Sequence, residues 1–190
     1  MKQGEKTKEF ILETSSRLFY EKGYSSTSFG DIVKGTGLSK GNITYHFKNK
    51  KEILIGIVNN RIKDINRSIN NWELAASDHK SRLKLFCDML IEQAEELEKF
   101  GCPLGTLTSE FSKHEPDLYK ITLPMFEILR DWLQKEYESL GAKEELAYYK
   151  AMSLLSKVQG ISVLTHIFKE RSFLMKEIEN IKESIEKEQF

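Results

Sequence analysis

Between Thr7 and Lys22 the residues Ile11, Ser15, Leu18 and Phe19 recur at i, i+4, i+7 and i+8, the spacing of one helical face. Gly23 closes that helix. A short second helix carries Phe29, Ile32 and Val33 after an N-cap at Thr27 or Ser28, whose hydroxyl accepts from otherwise unpaired backbone N–H groups. Gly35 and Gly37 end it. Ser39 caps a third brief helix in which Ile43 and Phe47 are core positions, so Gly37-Leu38 is a tight turn between two short helices. The outline is helix-turn-helix.

A continuous apolar stripe then runs from Glu52 to about Trp72 through Ile53, Leu54, Ile57, Val58, Ile62, Ile65 and Ile69. Ala75-Ala76-Ser77-Asp78 reads as a break with a cap. Leu83, Phe86, Leu90, Ala94 and Leu97 mark the next helix, which stops at Phe100-Gly101. A turn over 101–105 precedes a short helix ending near His114. Pro116 suits the first turn of a longer helix reaching Leu140-Gly141, and Pro124 kinks or divides it. Two more helices follow, over Lys143 to Lys169 and through Leu174, Ile178, Ile181 and Ile185. Gly160, mid-helix, costs about 1 kcal/mol relative to Ala and predicts a close helix contact. With no period-two pattern, the chain reads as all-α with about nine helices, residues 1–50 forming the helix-turn-helix domain and 51–190 a helical body.

Composition narrows the class. An apolar fraction of 39%, a charged fraction of 31%, three prolines in 190 residues and a mean hydropathy of −0.46 exclude disordered and collagen-like chains. No run approaches the roughly 18 apolar residues of a membrane span, and MKQGEKTKEF lacks the apolar core of a signal peptide, so the cytoplasm is the expected compartment. The net charge is zero, but residues 1–50 hold nine Lys/Arg against five Asp/Glu, a net of +4, leaving 20 against 24, or −4, for the rest. The basic excess coincides with the helix-turn-helix.

The order of residues carries more than the count. Ile11-Leu12-Glu13, Leu18-Phe19-Tyr20-Glu21-Lys22-Gly23-Tyr24, Thr27-Ser28-Phe29-Gly30-Asp31-Ile32 and the stretch from Gly37 to Lys50, GLSKGNITYHFKNK, resemble the first helix, second helix, turn, recognition helix and basic loop of the tetracycline-repressor (TetR) family of bacterial transcription regulators. Two positions differ from the family's habit. Thr44-Tyr45 stands where an aromatic pair is usual, and Gly30 replaces a side chain that often reaches DNA. The resemblance implies a DNA-binding head followed by a variable helical body for ligand binding and dimerisation, with repression as the usual mode.

The head's chemistry agrees. A helix opening with Ser39, Lys40, Gly41 and Asn42 presents polar groups and bare N–H donors suited to the major groove. Asn42 suits a base edge and Lys40 a guanine or phosphate, while Thr44, Tyr45, His46 and Lys50 suit phosphates, fixing register without reading sequence. Thr27 and Ser28, opening the second helix, join the candidate DNA contacts.

One recognition helix reads only a few base pairs, so useful affinity requires two, about 34–36 Å apart on one DNA face. The protein is thus expected to be a homodimer on a palindromic operator. The resemblance assigns dimerisation to the last two helices, with Gly160, Val163, Ile167, Leu174, Ile178 and Ile181 as interface candidates. The same resemblance implies a small-molecule inducer, and the middle helices offer Phe86, Met89, Leu90, Tyr119, Phe126, Trp132, Tyr149, Met152 and His166 as lining candidates.

Cys87 and Cys102 are too few for a disulfide framework and lack zinc-site spacing. Cys102, beside a helix start, is a candidate thiol sensor, which gives an alternative mode of control. The four histidines, His46, His79, His114 and His166, are scattered, with no metalloprotease, nucleophile-elbow or phosphate-loop motif, so neither enzyme, metal site nor cofactor is expected. A helical adaptor that does not bind DNA is the remaining competitor. The Ser39 to Lys50 constellation argues against it.

Overall fold

The computed structural model describes residues 3–112 and 115–190. Among them lie eleven helices: α1 (Gln3–Lys22), α2 (Phe29–Thr36), α3 (Lys40–His46), α4 (Lys50–Ala75), α5 (His79–Glu92), α6 (Ala94–Phe100), α7 (Pro103–Ser112), α8 (Pro116–Thr122), α9 (Pro124–Ser139), α10 (Glu144–Phe168) and α11 (Arg171–Lys187). The nine expected helices are all present, two of them interrupted. Pro124 divides one as anticipated, leaving only Leu123 between α8 and α9. The break at Gln93, between α5 and α6, has no proline or glycine to announce it. Helix α1 also starts four residues earlier than the apolar pattern indicates, because Gln3 to Lys6 are polar residues that extend the helix without packing. The expected end near His114 lies outside the described residues.

The chain forms two compact units. The first comprises the described residues of Met1–Lys63 and Thr106–Met125, the second Asp64–Gly105 and Phe126–Phe190. In the first, Ile11, Leu12 and Phe19 of α1, Ile32 of α2, Ile43 and Phe47 around α3, and Ile53, Leu54 and Ile57 of α4 are all buried, as the apolar spacing requires. Each such side chain contributes about 1.5–3 kcal/mol of burial. Gly56 lets α4 approach α1: a Cβ there would stand 2.6 Å from Leu12 Cδ2. In the turn, Gly37 adopts φ +66° and donates its N–H to Val33 O, closing α2 in a left-handed conformation that glycine accepts freely.

Capping fixes both short helices. Ser28 accepts from Asp31 N while Asp31 Oδ2 accepts from Ser28 N at 2.8 Å, a reciprocal capping box. Ser39 Oγ accepts from Asn42 N at 3.2 Å and starts α3.

The second unit is built around Trp72, Phe86 and Trp132, with ring centroids 5.1 Å apart for the Trp pair and 5.8 Å for Trp72 and Phe86. Leu83, Leu90, Leu133, Leu154, Leu174 and Ile178 complete this core. Glu136 sits within it at 1% exposure, tied to His79 Nδ1 at 2.7 Å and Arg82 Nη1 at 3.6 Å. A carboxylate that deep persists only when paired. Among the described residues Gly160 makes no close contact with another helix of its own chain, since beyond its own helix backbone a Cβ there would meet nothing within 4 Å.

Candidate nucleic-acid interface

Helices α2 and α3, joined by the Gly37 turn, present their polar residues outward. Ser28, Ser39, Lys40, Gly41, Asn42 and Tyr45 are exposed, and Tyr45 is 78% so. The Tyr45 ring meets that of His46 edge-on at 5.0 Å, leaving His46 half-buried. Thr44, also half-buried, donates its hydroxyl to Lys40 O at 2.9 Å. Ile43 at 0% exposure and Phe47 at 4% anchor the opposite side of α3. One face of this short helix is therefore core and the other is available.

Two candidate contacts are corrected. Thr27 is fully buried, and its hydroxyl donates to Gly23 O at 2.7 Å, closing the loop after α1 instead of facing outward. Lys50 is drawn inward: its Nζ donates to Tyr24 O and Thr27 O, both at 2.8 Å, and lies 4.0 Å from the Tyr24 ring centroid. Desolvation holds the Lys50 ammonium below the usual lysine range, against the attraction of Glu110. It works as a strut inside the first unit, bound to two carbonyls. Lys48 is exposed beside it and donates to Thr44 O at 3.2 Å.

Glu110, on α7, is the residue that sequence reasoning missed. Its carboxylate accepts from Tyr24 N at 3.0 Å and Ser25 N at 2.7 Å, and Phe111 beside it meets the Tyr24 ring edge-on at 5.1 Å. Burial, then Glu115 and Glu110, pushes the Tyr24 hydroxyl above the usual tyrosine range. The loop entering α2 is thus held by a segment 85 residues away in sequence.

The other candidate sets disperse. Phe86, Leu90 and Trp132 are buried in the core of the second unit, where Trp132 Nε1 donates to Glu73 Oε1 at 3.1 Å, and Met89 packs against that core. Phe126 is half-buried in the same unit, but Tyr119 belongs to the first. Tyr149 and Met152 are exposed on α10, and His166 Nδ1 lies 3.1 Å from Glu98 O. Of the dimer candidates, Gly160, Val163 and Ile167 are exposed, while Leu174, Ile178 and Ile181 are buried within the chain's own core. The stripe on α11 is satisfied by α5 and α10 of the same chain, which corrects its assignment to a partner. Cys102 is half-buried, with Gly105 N and Gln159 Nε2 each donating to its Sγ at 3.4 Å, and Cys87 is buried, its thiol pushed up to about 12 by desolvation.

No helix among the described residues is long and apolar enough to cross a membrane. Residues 11–57 match the model of the bacterial regulatory proteins of the tetR family. The chain is 29% identical to an HTH-type transcriptional regulator of Lactococcus lactis, over 95% of this chain and 94% of that one. It is 30% identical to the HTH-type transcriptional regulator LmrA of Bacillus subtilis, over 81% and 83%. Among solved structures, a TetR transcriptional regulator from Chloroflexus aurantiacus superposes with a TM-score of 0.87 over 99% of this chain and 98% of that one, at 21% identity. With α2 and α3 folded as a capped helix-turn-helix and relatives matched over most of its length, the chain belongs to the TetR family of DNA-binding transcriptional regulators, and is not an enzyme.

Proposed function

We propose that the protein is a homodimeric repressor that acts in the cytoplasm, binds a palindromic operator through α3 and is released by a small-molecule effector. Residues 1–50 hold the DNA-contacting surface and 51–190 the effector-binding and self-association functions. The observation that carries the DNA reading is the outward row on α3, Ser39, Lys40, Gly41, Asn42 and Tyr45, opposite the buried Ile43 and Phe47. Asn42 reads a base edge, and Lys40, Tyr45 and His46 fix the register on phosphates. Ser28 and Thr44 support the contact from their caps and turns.

The exposed side of α10 supports self-association. That helix buries Ala147, Leu154, Val158 and Ile161 inside the chain, yet exposes Tyr149, Met152, Val163, Leu164, Ile167 and Phe168. A helix apolar on both faces requires a second cover. From Tyr149 to Ile167 the stripe runs eighteen residues, about 27 Å. Gly160, bare at its middle, admits a partner backbone closely.

Fluorescence anisotropy against DNA from upstream of its own gene, with an unrelated duplex as control and at two salt concentrations, tests the reading. Preference for the upstream duplex with two protomers per site, weakening steeply with salt, supports it. Equal binding to both duplexes at low salt counts against a specific operator there.

Control through Cys102 is the second reading, favoured by its partial exposure and by the two N–H donors, Gly105 N and Gln159 Nε2, on its sulfur. Loss of oxidant-dependent DNA release in Cys102→Ser supports it, and an unchanged response excludes it.

A further inference from the structure

The second unit contains a cleft of about 240 Å³ between α9, α10 and α11 whose polar chemistry the helix-turn-helix does not use. Its floor is apolar, from Leu154, Ile181 and Ile185. At one end Glu188 enters from the extended segment that follows α11, held there as Phe190 packs edge-on against Tyr137 at 6.0 Å. Glu188 Oε1 is bound by Lys150 Nζ at 2.8 Å, but Oε2 is shielded from solvent and accepts no hydrogen bond. A carboxylate oxygen withdrawn from water without a donor costs free energy, so it is a place where a ligand's donor binds with gain.

The opposite end carries the opposite charge. Lys157 lines the same cleft, is exposed, and follows Lys150 by seven residues on α10, which sets their backbones about 10 Å apart along the helix. Ser153 and Ser184 lie along the walls between. We propose that this cleft binds an elongated small molecule with a cationic or hydroxyl donor at one end and an anionic group at the other, of the ω-amino or ω-hydroxy carboxylate class. The donor satisfies Glu188 Oε2, the anion pairs with Lys157, and the methylene chain covers Leu154 and Ile181. The inference stands on the second unit alone and is independent of DNA binding.

Isothermal titration calorimetry of the full chain with 6-aminohexanoate, hexanoate and hexylamine separates the two ends. The expected result is one 6-aminohexanoate per protomer, with each single-ended probe weaker by roughly tenfold or more. Glu188→Gln should erase the advantage of 6-aminohexanoate over hexanoate, and Lys157→Gln its advantage over hexylamine. Ser153→Leu, which fills the cleft from the α10 surface, should abolish binding and covers the case in which Glu188→Gln does not fold. Absence of 6-aminohexanoate binding up to roughly millimolar concentration overturns the proposal. So does equal affinity for all three probes, or binding that the three substitutions leave unchanged.

Discussion

The carboxylate of Glu110 caps the backbone N–H groups of Tyr24 and Ser25, at 3.0 and 2.7 Å, and so fixes the loop that leads into α2 from a helix 85 residues further along the chain. Lys50 binds the carbonyls of Tyr24 and Thr27 in the same loop. The same few residues of loop are therefore held by an acid through their donors and by a base through their acceptors. Opposite charges on the two sides of one loop also attract each other, as the upward pull of Glu110 on Lys50 shows.

Replacing Glu110 by Ala removes two charge-assisted hydrogen bonds, one partly buried and one exposed. A loss of about 1–2 kcal/mol in unfolding free energy is expected, below the full value of two buried bonds because water replaces the exposed one. Urea denaturation measures it, and an unchanged midpoint would mean that Lys50, the Thr27 hydroxyl and the Tyr24–Phe111 contact hold the loop without Glu110.

Lys50 and Lys40 should separate in a salt titration of DNA affinity. Lys40 is exposed on α3, so Lys40→Ala should lower the slope of log K against log salt by about 1. Lys50→Met should reduce stability, yet leave that slope near the parent's, since its ammonium is spent on two carbonyls. A slope change for Lys50→Met equal to that of Lys40→Ala would restore Lys50 to the phosphates.

These two lysines also mark the limit of what the sequence reveals. Ser28 and Asp31, or Ile43 and Phe47, are legible because caps and apolar spacing act over three or four residues, and the helix-turn-helix is made of such local rules. Whether a lysine faces DNA or a carbonyl depends on what the chain folds beneath it, and Lys50 meets Tyr24 from 26 positions away. Glu110 is one glutamate among many until the fold sets it against Tyr24. On α11 the ambiguity has another source: the spacing of Leu174, Ile178 and Ile181 demands an apolar cover without saying whether that cover is α5 of the same chain or a second copy.

Asp31 predicts a pH dependence. Its hydrogen bonds with Ser28, side chain first and backbone next, hold its carboxyl below the ordinary 3.8. A carboxyl depressed in the folded state contributes stability that is fully present above its unfolded value and is lost as pH falls through the folded value. The stability difference between the parent and Asp31→Asn should be constant above about pH 4 to 5 and shrink below 3.8 as Asp31 protonates. Denaturation at a series of pH values reads this directly, and a difference unchanged down to pH 2 would detach the capping box from the ionised acid.

The two apolar stripes on α10 and α11 predict opposite phenotypes. Ile167 is 61% exposed, so Ile167→Glu costs the isolated chain little but places a charge in any interface formed by α10. Leu174, at 0% exposure, leaves a cavity on truncation, and Leu174→Ala should lose about 2–5 kcal/mol of stability. Sedimentation velocity with thermal unfolding distinguishes them: Ile167→Glu should give a monomer with near-parental secondary structure, and Leu174→Ala a less stable protein that still associates while folded. Because operator binding needs two copies of α3 at a fixed separation, the monomeric Ile167→Glu should also lose most of its preference for operator over unrelated DNA, even though every residue of its α2–α3 surface is intact. A dimer that survives Ile167→Glu would move the interface away from this end of α10.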